Sequence, residues 1–242
     1  MNDGLLSPTT RSVLAFSVPK REDATNEDRW RIASDGTICA LCDGASISYD
    51  PAPWADQLTE RFVTDPNITR LWLDDAVSEY LKKYDRENME WMQQAAFDRG
   101  SFATLVGIIW PTGQASLRTF AMGDSIVALV GDNTFLGSYP LTSHLEFDQP
   151  PTLLSTNHLE NSGFSDEAIA GCWHTFEFDA DSHQVALLMT DALGRWLLED
   201  PHSSRLSRLL EIGDEAHFAN FIEVERAEGR LKRDDSTLII LG

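Results

Sequence analysis

The sequence has little cysteine, with three residues in 242. A small, odd number of thiols does not supply the disulfide framework of a secreted domain, so we expect a reducing compartment. Cys39 and Cys42 form a CxxC, a spacing found in thioredoxin-like redox pairs and in half of a zinc site. No second CxxC or partner histidines accompany it, and residues three apart in a strand point to opposite faces. We therefore interpret both cysteines as small buried residues.

Long hydrophobic runs are also missing. No apolar stretch approaches the ~18 residues that a membrane-spanning helix needs. The opening segment, MNDGLLSPTT, lacks the basic region followed by an apolar stretch that marks a signal peptide. We therefore expect a cytoplasmic protein that has no membrane partner.

Basic residues are scarce, with 19 Lys and Arg against 39 Asp and Glu, which gives a formal net charge of -20. Such a surface repels nucleic-acid phosphates and anionic lipid headgroups over a Debye length. The acidic residues occur singly or in pairs, which is typical of a folded surface rather than an acidic tail. The composition therefore argues against a nucleic-acid partner.

Several catalytic signatures are absent from the sequence. It contains neither GxSxG nor CxxxxxR, the patterns of common serine and cysteine nucleophiles, and it has no P-loop or glycine-rich dinucleotide fingerprint. None of the six histidines is paired at the spacing of zinc ligands. The sequence therefore gives no support for covalent catalysis by these motifs, for nucleotide binding or for a zinc site.

Apolar residues make up 42% of the chain, enough for a sizeable packed core. Short apolar runs that end in turns predict an α+β fold, and the short connections between most of them favour largely antiparallel sheets. One domain over residues 1–242 is expected at this length. The predicted strands are 12–18, 30–33, 37–42, 104–110, 115–121, 125–131, 173–178, 184–190 and 236–241.

Helical periodicity is clearest after residue 50. Trp54, Leu58 and Phe62 recur every four residues after Pro53, and Pro66 marks the end of that helix. A second amphipathic pattern runs from residue 73 to residue 97, followed by a glycine at position 100. The remaining predicted helices are 203–212 and 215–227. Residues 136–171 are rich in turn-forming residues, which predicts a loop or flap that shapes a binding surface.

The chemically informative feature is a set of acidic residues at the ends of the apolar runs. Asp43, Asp124 and Asp191 each follow such a run, Asp234 precedes the last one, and Glu27 and Asp28 precede another. Turn chemistry explains any one of these aspartates taken alone. If the fold gathers them, their repulsion requires protons or a cation, and an oxygen-only donor set suits Mg²⁺ or Mn²⁺.

Six segments, in order, resemble the successive motifs of the protein phosphatase 2C family, the metal-dependent protein phosphatases. The resemblance reaches from about residue 12 to residue 242. The segments are NEDRW (26–30), CDGAS (42–46), GSFAT (100–104), AMGDSI (121–126), LLMTDALGRW (187–196) and RDDSTLII (233–240).

This resemblance implies a central β-sandwich flanked by helices, with a binuclear Mn²⁺ or Mg²⁺ site at one end. It assigns Asp43 as the bridging ligand, Gly44 as a carbonyl ligand, and Asp191 and Asp234 as further metal aspartates. These three aspartates would form the catalytic core. The other implied positions are Asp28 as a direct or water-mediated ligand, Asp124 as a ligand for a third ion with Asp191, and Glu27 beside Asp28 in the acidic pair.

The implied reaction is hydrolysis of phosphoserine or phosphothreonine in a protein, in one displacement by water activated between two cations. The implied partner is a phosphoprotein substrate, and the implied role is signal transduction opposite a serine/threonine kinase. A hydrolase of small phosphate esters stays open as an alternative. A pseudophosphatase or phosphopeptide-binding regulator with the same fold is the other.

Three departures from the family pattern bear on these alternatives. Asp23 occupies the position of the usual phosphate-binding arginine, so Arg21, or Lys20, would have to serve. Ala192 and Asp235 follow Asp191 and Asp234 where the family has glycine and asparagine. Alanine resists the positive φ that glycine permits, so a different turn is expected beside Asp191.

Overall fold

The computed structural model describes residues 11–179 and 183–242. Residues 1–10, from which the sequence predicts that there is no signal peptide, lie outside the described part of the chain. Within it, no helix combines the length and the apolar character needed to cross a membrane.

Two five-stranded antiparallel sheets form the centre of the fold, as the sequence predicts. One has the strand order β1-β12-β11-β7-β8 and the other β10-β6-β5-β3-β2, while β4 and β9 form a separate pair. The strands are β1 (Val13–Val18), β2 (Arg29–Ile32), β3 (Ile38–Cys42), β4 (Phe102–Ala103), β5 (Leu105–Ile109), β6 (Ser116–Met122), β7 (Ile126–Gly131), β8 (Thr134–Tyr139), β9 (Leu154–Ser155), β10 (Trp173–Glu177), β11 (Gln184–Met189) and β12 (Ser236–Leu241).

Helices cover the outer face of each sheet. They are α1 (Pro51–Thr64), α2 (Arg70–Leu81), α3 (Trp91–Arg99), α4 (Asp166–Ala170), α5 (Asp191–Leu198), α6 (Ser204–Leu210) and α7 (Glu215–Ala227). Helices α1 and α2 pack on the sheet that contains β3, and α5, α6 and α7 pack on the sheet that contains β12. The result is a four-layered sandwich in which apolar residues of both sheets form the central core.

The CxxC illustrates how this core is built. Cys39 belongs to the core between the two sheets, whereas Cys42 belongs to the core between the sheet and helices α1 and α2. The two residues alternate across β3, and both are fully buried. Burial raises the pKa of the Cys39 thiol to about 12, so it stays protonated and packs as an apolar group.

The first helix follows its predicted pattern. Trp54, Leu58 and Phe62 are fully buried on α1. A Cβ at Gly107 on β5 would lie 2.4 Å from the Phe62 ring, so the helix packs onto this strand only because position 107 lacks a side chain. This contact fixes the distance between α1 and the sheet.

The single helix predicted over residues 73–97 is wrong. The chain forms α2, a 3-10 turn at Arg86–Asn88, and α3, which begins after the cap residue Glu90. Residues 85–88 are all polar, so the apolar stripe has no member there. Trp91 and Met92 stand exposed instead of being buried.

Regular structure that the sequence did not predict includes helix α5 and several elements in the segment predicted as a flap. Only Thr190 separates the end of β11 from the start of α5, so the apolar residues of the helix continue the apolar run of the strand and show no separate periodicity. The segment predicted as a flap, 136–171, contains the end of β8, a 3-10 turn, β9 and α4. Leu154 and Ile169 of this segment join the core against α1 and α2, so part of it is packed structure rather than loop.

Candidate active site

The aspartates at the strand ends meet around Asp43. Burial raises the pKa of Asp43 well above its usual range, and the charges of Asp28, Asp191, Asp234 and Asp124 raise it further. These four residues precede β2, begin α5, precede β12 and precede β7, respectively, so they come from both sheets. Neighbouring ends of the sandwich thus place five carboxylates close enough to repel one another.

Asp28 is the most deeply buried of the five, with 4% of its surface exposed. Its Oδ2 accepts hydrogen bonds from the hydroxyls of Thr237 at 2.6 Å and Thr190 at 3.2 Å. Its Oδ1 is buried and has no hydrogen-bond partner. Burial raises the pKa of Asp28, and the charges of Asp235 and Asp191 add to the rise. An unpartnered buried carboxylate oxygen is costly unless a proton or a cation meets it.

Asp43 is held by its backbone. Its N–H donates to the Thr104 hydroxyl at 2.9 Å, and its carbonyl accepts from the Thr104 N–H at 2.9 Å. Gly44 pairs with Ala103 in an isolated β-bridge. A Cβ at position 44 would lie 3.0 Å from the Glu27 carbonyl oxygen and from the Pro51 side chain. The Asp43–Gly44 turn is therefore fixed tightly against the Glu27 backbone.

Asp191 and Asp234 share one cation from the chain itself. The Lys232 Nζ lies 2.8 Å from the Asp191 Oδ2 and 2.7 Å from the Asp234 Oδ2. Burial alone would lower the pKa of Lys232, but the two carboxylates outweigh it and raise the pKa. The sequence does not predict this contact, because a lysine before the last strand is typical of a solvated surface charge.

Asp124 sits in the turn between β6 and β7. Burial, followed by the charge of Asp191, raises its pKa to about 6. Gly123, just before it, has a φ of 105°, and a Cβ there would lie 2.6 Å from the Thr104 side chain. Only glycine allows this turn, and the turn places Asp124 beside the other carboxylates.

Glu27 faces a second lysine rather than the carboxylate cluster. The Lys20 Nζ donates to the Glu27 Oε2 at 2.8 Å and to the Ser46 hydroxyl at 2.7 Å. Ser46 also donates to Glu27. The Asp235 carboxylate accepts the backbone N–H groups of Lys20 at 2.6 Å and Glu27 at 2.7 Å. Asp235 therefore fastens the segment from Lys20 to Glu27 against the start of β12.

Arg21 lies elsewhere. It is exposed and lines a surface cavity of about 530 Å³ together with Asp23, Glu223 and Arg233. Lys20, its neighbour, is the residue that reaches Glu27. Of the two cations that the sequence offers for phosphate binding, the structure brings Lys20 and not Arg21 to the acidic pair.

The departure at Ala192 is accommodated without strain. Ala192 lies in the first turn of α5, is buried, and donates its N–H to the Asp191 Oδ1 at 2.6 Å. The turn after β11 is the start of a helix with Thr190 as its N-cap residue, so it needs no positive φ at position 192.

The donor set fits a hard divalent ion. All the converging side chains offer oxygen, and Asp28 offers a buried oxygen with no partner. Within residues 11–179 and 183–242, however, no three His, Cys, Asp or Glu side chains already form a group that could hold a metal ion. The carboxylates are near one another but not closed into a cage, and Lys232 occupies the gap between two of them.

Sequence reasoning missed three contributors. Lys232 forms ion pairs with two of the aspartates, Asp235 anchors the segment before β2, and Thr237 orients Asp28. Of the three, only Asp235 was noticeable in the sequence, because it stands where the family has asparagine. The contacts of the other two follow from the packing of β12 and have no local signature.

A surface cavity of about 440 Å³ is lined by residues of the loop that follows Gly44, by the end of α3 and by the segment after β9. Its wall includes Ile47, Ser48, Arg99, Asn157 and Glu160. Ile47 is 96% exposed. Asn157 and Glu160 come from the segment that the sequence predicted as a binding surface, so part of that segment borders an open cleft.

No protein-family model matches the chain, and no curated protein matches it. Solved structures do match it over almost its whole length. The Mycobacterium tuberculosis serine/threonine phosphatase PstP/Ppp is 18% identical, with a TM-score of 0.57 over 96% of this chain and 97% of that chain. The catalytic domain of PstP in complex with two manganese ions is 16% identical, with a TM-score of 0.59 over 96% and 97%. RsbX in complex with magnesium is 14% identical, with a TM-score of 0.51 over 95% and 93%.

These identities are low, so the likeness shows the fold alone. The order of the strands in two sheets, the flanking helices and the whole-length matches agree with one another. The chain has the fold of the protein phosphatase 2C-type serine/threonine phosphatases.

Proposed function

We propose that residues 1–242 work as a single phosphatase domain that hydrolyses phosphoserine and phosphothreonine in proteins with Mn²⁺ or Mg²⁺. The observation that carries this proposal is the convergence of five aspartates from separate segments around Asp43. The charges of Asp28, Asp191, Asp234 and Asp124 disfavour the ionisation of Asp43, so placing Asp43 among them costs stability unless a cation is bound. A divalent cation turns that repulsion into binding energy.

In this proposal Asp43, Asp191 and Asp234 hold two ions, with the Gly44 carbonyl and Asp28 completing the donors. Asp124 and Asp191 would hold a third. When bound, two divalent ions acidify water and neutralise charge on a phosphoryl group. The metals carried by PstP and RsbX support this choice of ions.

The other residues of the site would orient the Asp28 carboxylate and bind the phosphorylated substrate. Thr190 and Thr237 fix the Asp28 carboxylate, leaving its Oδ1 free for a ligand. Lys20 supplies a positive charge beside Glu27, and the charges of Asp235 and Asp234 act on it, so it would be the cation that meets a phosphate oxygen. The cleft bordered by Ile47 and Glu160 is large enough for side chains of a peptide. A cytoplasmic phosphoprotein that a kinase has modified is the substrate this arrangement suits.

The test is phosphate release from a phosphothreonine peptide by the purified protein, with Mn²⁺, with Mg²⁺ and with excess EDTA. We expect metal-dependent turnover that Asp43→Asn abolishes while the circular dichroism spectrum is unchanged. Turnover that continues in EDTA, or an Asp43→Asn variant as active as the parent, would contradict the proposal. Running p-nitrophenyl phosphate in parallel separates a protein phosphatase from a hydrolase of small esters.

A regulator that binds phosphopeptides without hydrolysing them is the second candidate. The lysine that pairs with both Asp191 and Asp234 favours it. Calorimetry distinguishes the two. A chain that binds the phosphothreonine peptide but shows neither Mn²⁺ binding nor phosphate release is a regulator.

A further inference from the structure

Lys232 occupies a particular position in the cluster. Its ammonium group contacts one carboxylate oxygen of Asp191 and one of Asp234, at 2.8 Å and 2.7 Å. These oxygens belong to residues that lie on different segments, the first turn of α5 and the approach to β12. One side chain therefore joins the two segments at the site.

The other charges near the site do not compete for this position. Lys20 is engaged with Glu27 and Ser46. Arg233, the next residue, lines the separate cavity near Arg21. Lys232 also acts electrostatically on Asp124, so it serves three of the five aspartates. Arg29 and Arg226 donate to the backbone carbonyls of Asp28 and Asp234 and not to their carboxylates. Among the residues that the structure describes, Lys232 is the cation that forms ion pairs with carboxylates of the cluster.

We propose that Lys232 is a tethered counter-ion that holds Asp191 and Asp234 together in the metal-free protein and competes with a divalent ion for them. The inference rests on the proposed metal site. It goes further, because it assigns a regulatory part to a residue outside the donor set.

Lys232 and a divalent ion compete because both would bind through lone pairs of the same carboxylate oxygens. The oxygens that accept the N–H groups of Lys232 are the ones a cation between Asp191 and Asp234 would use, and two positive charges at one place repel each other. The lysine can leave at small cost, since its side chain is 56% exposed and its four-carbon stem is flexible. Metal entry would then include the departure of Lys232 into solvent.

Removing Lys232 should lower the melting temperature of the metal-free protein and raise its affinity for Mn²⁺. Without Lys232 the metal-free protein loses the ion pairs that join α5 to β12, so it melts at a lower temperature. Its Mn²⁺ affinity rises by about tenfold, because the ion no longer displaces an ammonium group. A purely structural lysine would give the first effect without the second.

The experiment is calorimetric titration of Mn²⁺ into the full chain at about 0.15 M salt, where exposed charges are screened. The parent, Lys232→Met, Lys232→Arg and Lys82→Met are compared. Lys82 lies exposed at the end of α2, so its replacement changes the net charge equally without touching the site. Melting temperatures with and without Mn²⁺ provide a second readout for each variant.

We expect Lys232→Met to bind Mn²⁺ about tenfold more tightly than the parent and Lys82→Met to match the parent. Lys232→Arg, which keeps the charge, should stay close to the parent. Equal or weaker binding by Lys232→Met would overturn the inference while leaving the metal site intact. If neither the parent nor Lys232→Met binds Mn²⁺, the proposed function fails and the inference fails with it.

Discussion

The Thr237 hydroxyl donates a 2.6 Å hydrogen bond to the Asp28 carboxylate. Thr237 lies on β12 of one sheet, and Asp28 directly precedes β2 of the other. The same hydroxyl is 2.6 Å from the Ser17 hydroxyl on β1. This contact ties the two sheets together at the end of the sandwich where the aspartates converge.

Thr237→Val tests whether the hydrogen bond from Thr237 to Asp28 stabilises the contact between the two sheets. Valine keeps the shape and removes the hydroxyl, so the buried Asp28 loses its shorter hydrogen bond. We expect the free energy of unfolding to fall by about 1 to 3 kcal/mol. Urea unfolding measures it, and Thr237→Ser, which keeps the hydroxyl, is the matched control. Equal losses in the two variants would show that packing of the methyl group, and not the hydrogen bond, matters at this position.

Asp43→Asn separates stability from activity. The neutral amide removes a carboxyl group whose ionisation is disfavoured by burial and by four neighbouring charges. We expect the metal-free protein to gain about 1 kcal/mol of stability, while Mn²⁺-dependent phosphate release is lost. Thermal melting in EDTA and a phosphate-release assay measure the two quantities. Asp200→Asn, at an exposed site after α5, should change neither.

The convergence of the aspartates shows what the sequence could and could not predict. Apolar runs located nine of the strands, since alternation and turn residues are local signals. Which strand ends meet depends on the pairing of β12 with β11 and β1, and no local pattern reports that. The family resemblance supplied the grouping of Asp43 with Asp191. It did not supply Lys232, whose contact arises from this chain's own residue at that position.

The missed helices have different physical causes. Helix α5 begins one residue after an apolar strand ends, so its periodicity merges with the strand's run. Residues 73–97 keep the helical spacing on both sides of a polar stretch, and one long helix fits that spacing. The capping box of Glu90 and Gln93 is the local signal that a new helix starts there.

Gly44→Ala is expected to loosen the Asp43 turn. The new Cβ would lie 3.0 Å from both the Glu27 carbonyl oxygen and the Pro51 side chain, so the backbone has to shift. We expect a loss of about 1 to 3 kcal/mol together with weaker Mn²⁺ binding. Gly213→Ala is the control, because a Cβ there meets nothing within 4 Å. If Gly44→Ala lowers stability but leaves Mn²⁺ affinity unchanged, the turn does not position a metal ligand.

Lys20 and Arg21 form a natural pair for testing phosphate binding. Lys20 reaches Glu27 and Ser46 beside the cluster, whereas Arg21 lines the cavity with Asp23. We expect Lys20→Met to lower kcat/KM for p-nitrophenyl phosphate by about tenfold, since a charge-assisted contact to a phosphate oxygen is lost. Arg21→Met should behave like the parent. The reverse order of effects would assign the phosphate to Arg21, as the sequence-based prediction does.

Glu225 governs the acid stability of the helical layer on the β12 sheet. This fully buried carboxylate on α7 accepts hydrogen bonds from Arg230 at 2.6 Å, Arg208 at 2.5 Å and the Trp196 Nε1 at 2.9 Å. The bond from Arg230 is the main cause that lowers its pKa to about 2, with Arg208 and Trp196 adding to the effect against the opposing influence of burial. Helices α5, α6 and α7 meet at this one side chain.

The sign of the pH effect follows from that lowered pKa. Above the ordinary value of 4.5 both the folded and unfolded chains carry the charge, and the folded state keeps its full advantage of about 3 kcal/mol. As the pH falls from 4.5 toward 2, the unfolded chain takes up a proton first, and the advantage is lost. Glu225→Gln should therefore lower the free energy of unfolding strongly at pH 7 and far less near pH 2.5. Urea unfolding across this range measures it, with Glu60→Gln on the exposed face of α1 as the control. A difference between parent and Glu225→Gln that stays constant with pH would mean that packing, and not the charge of Glu225, joins the three helices.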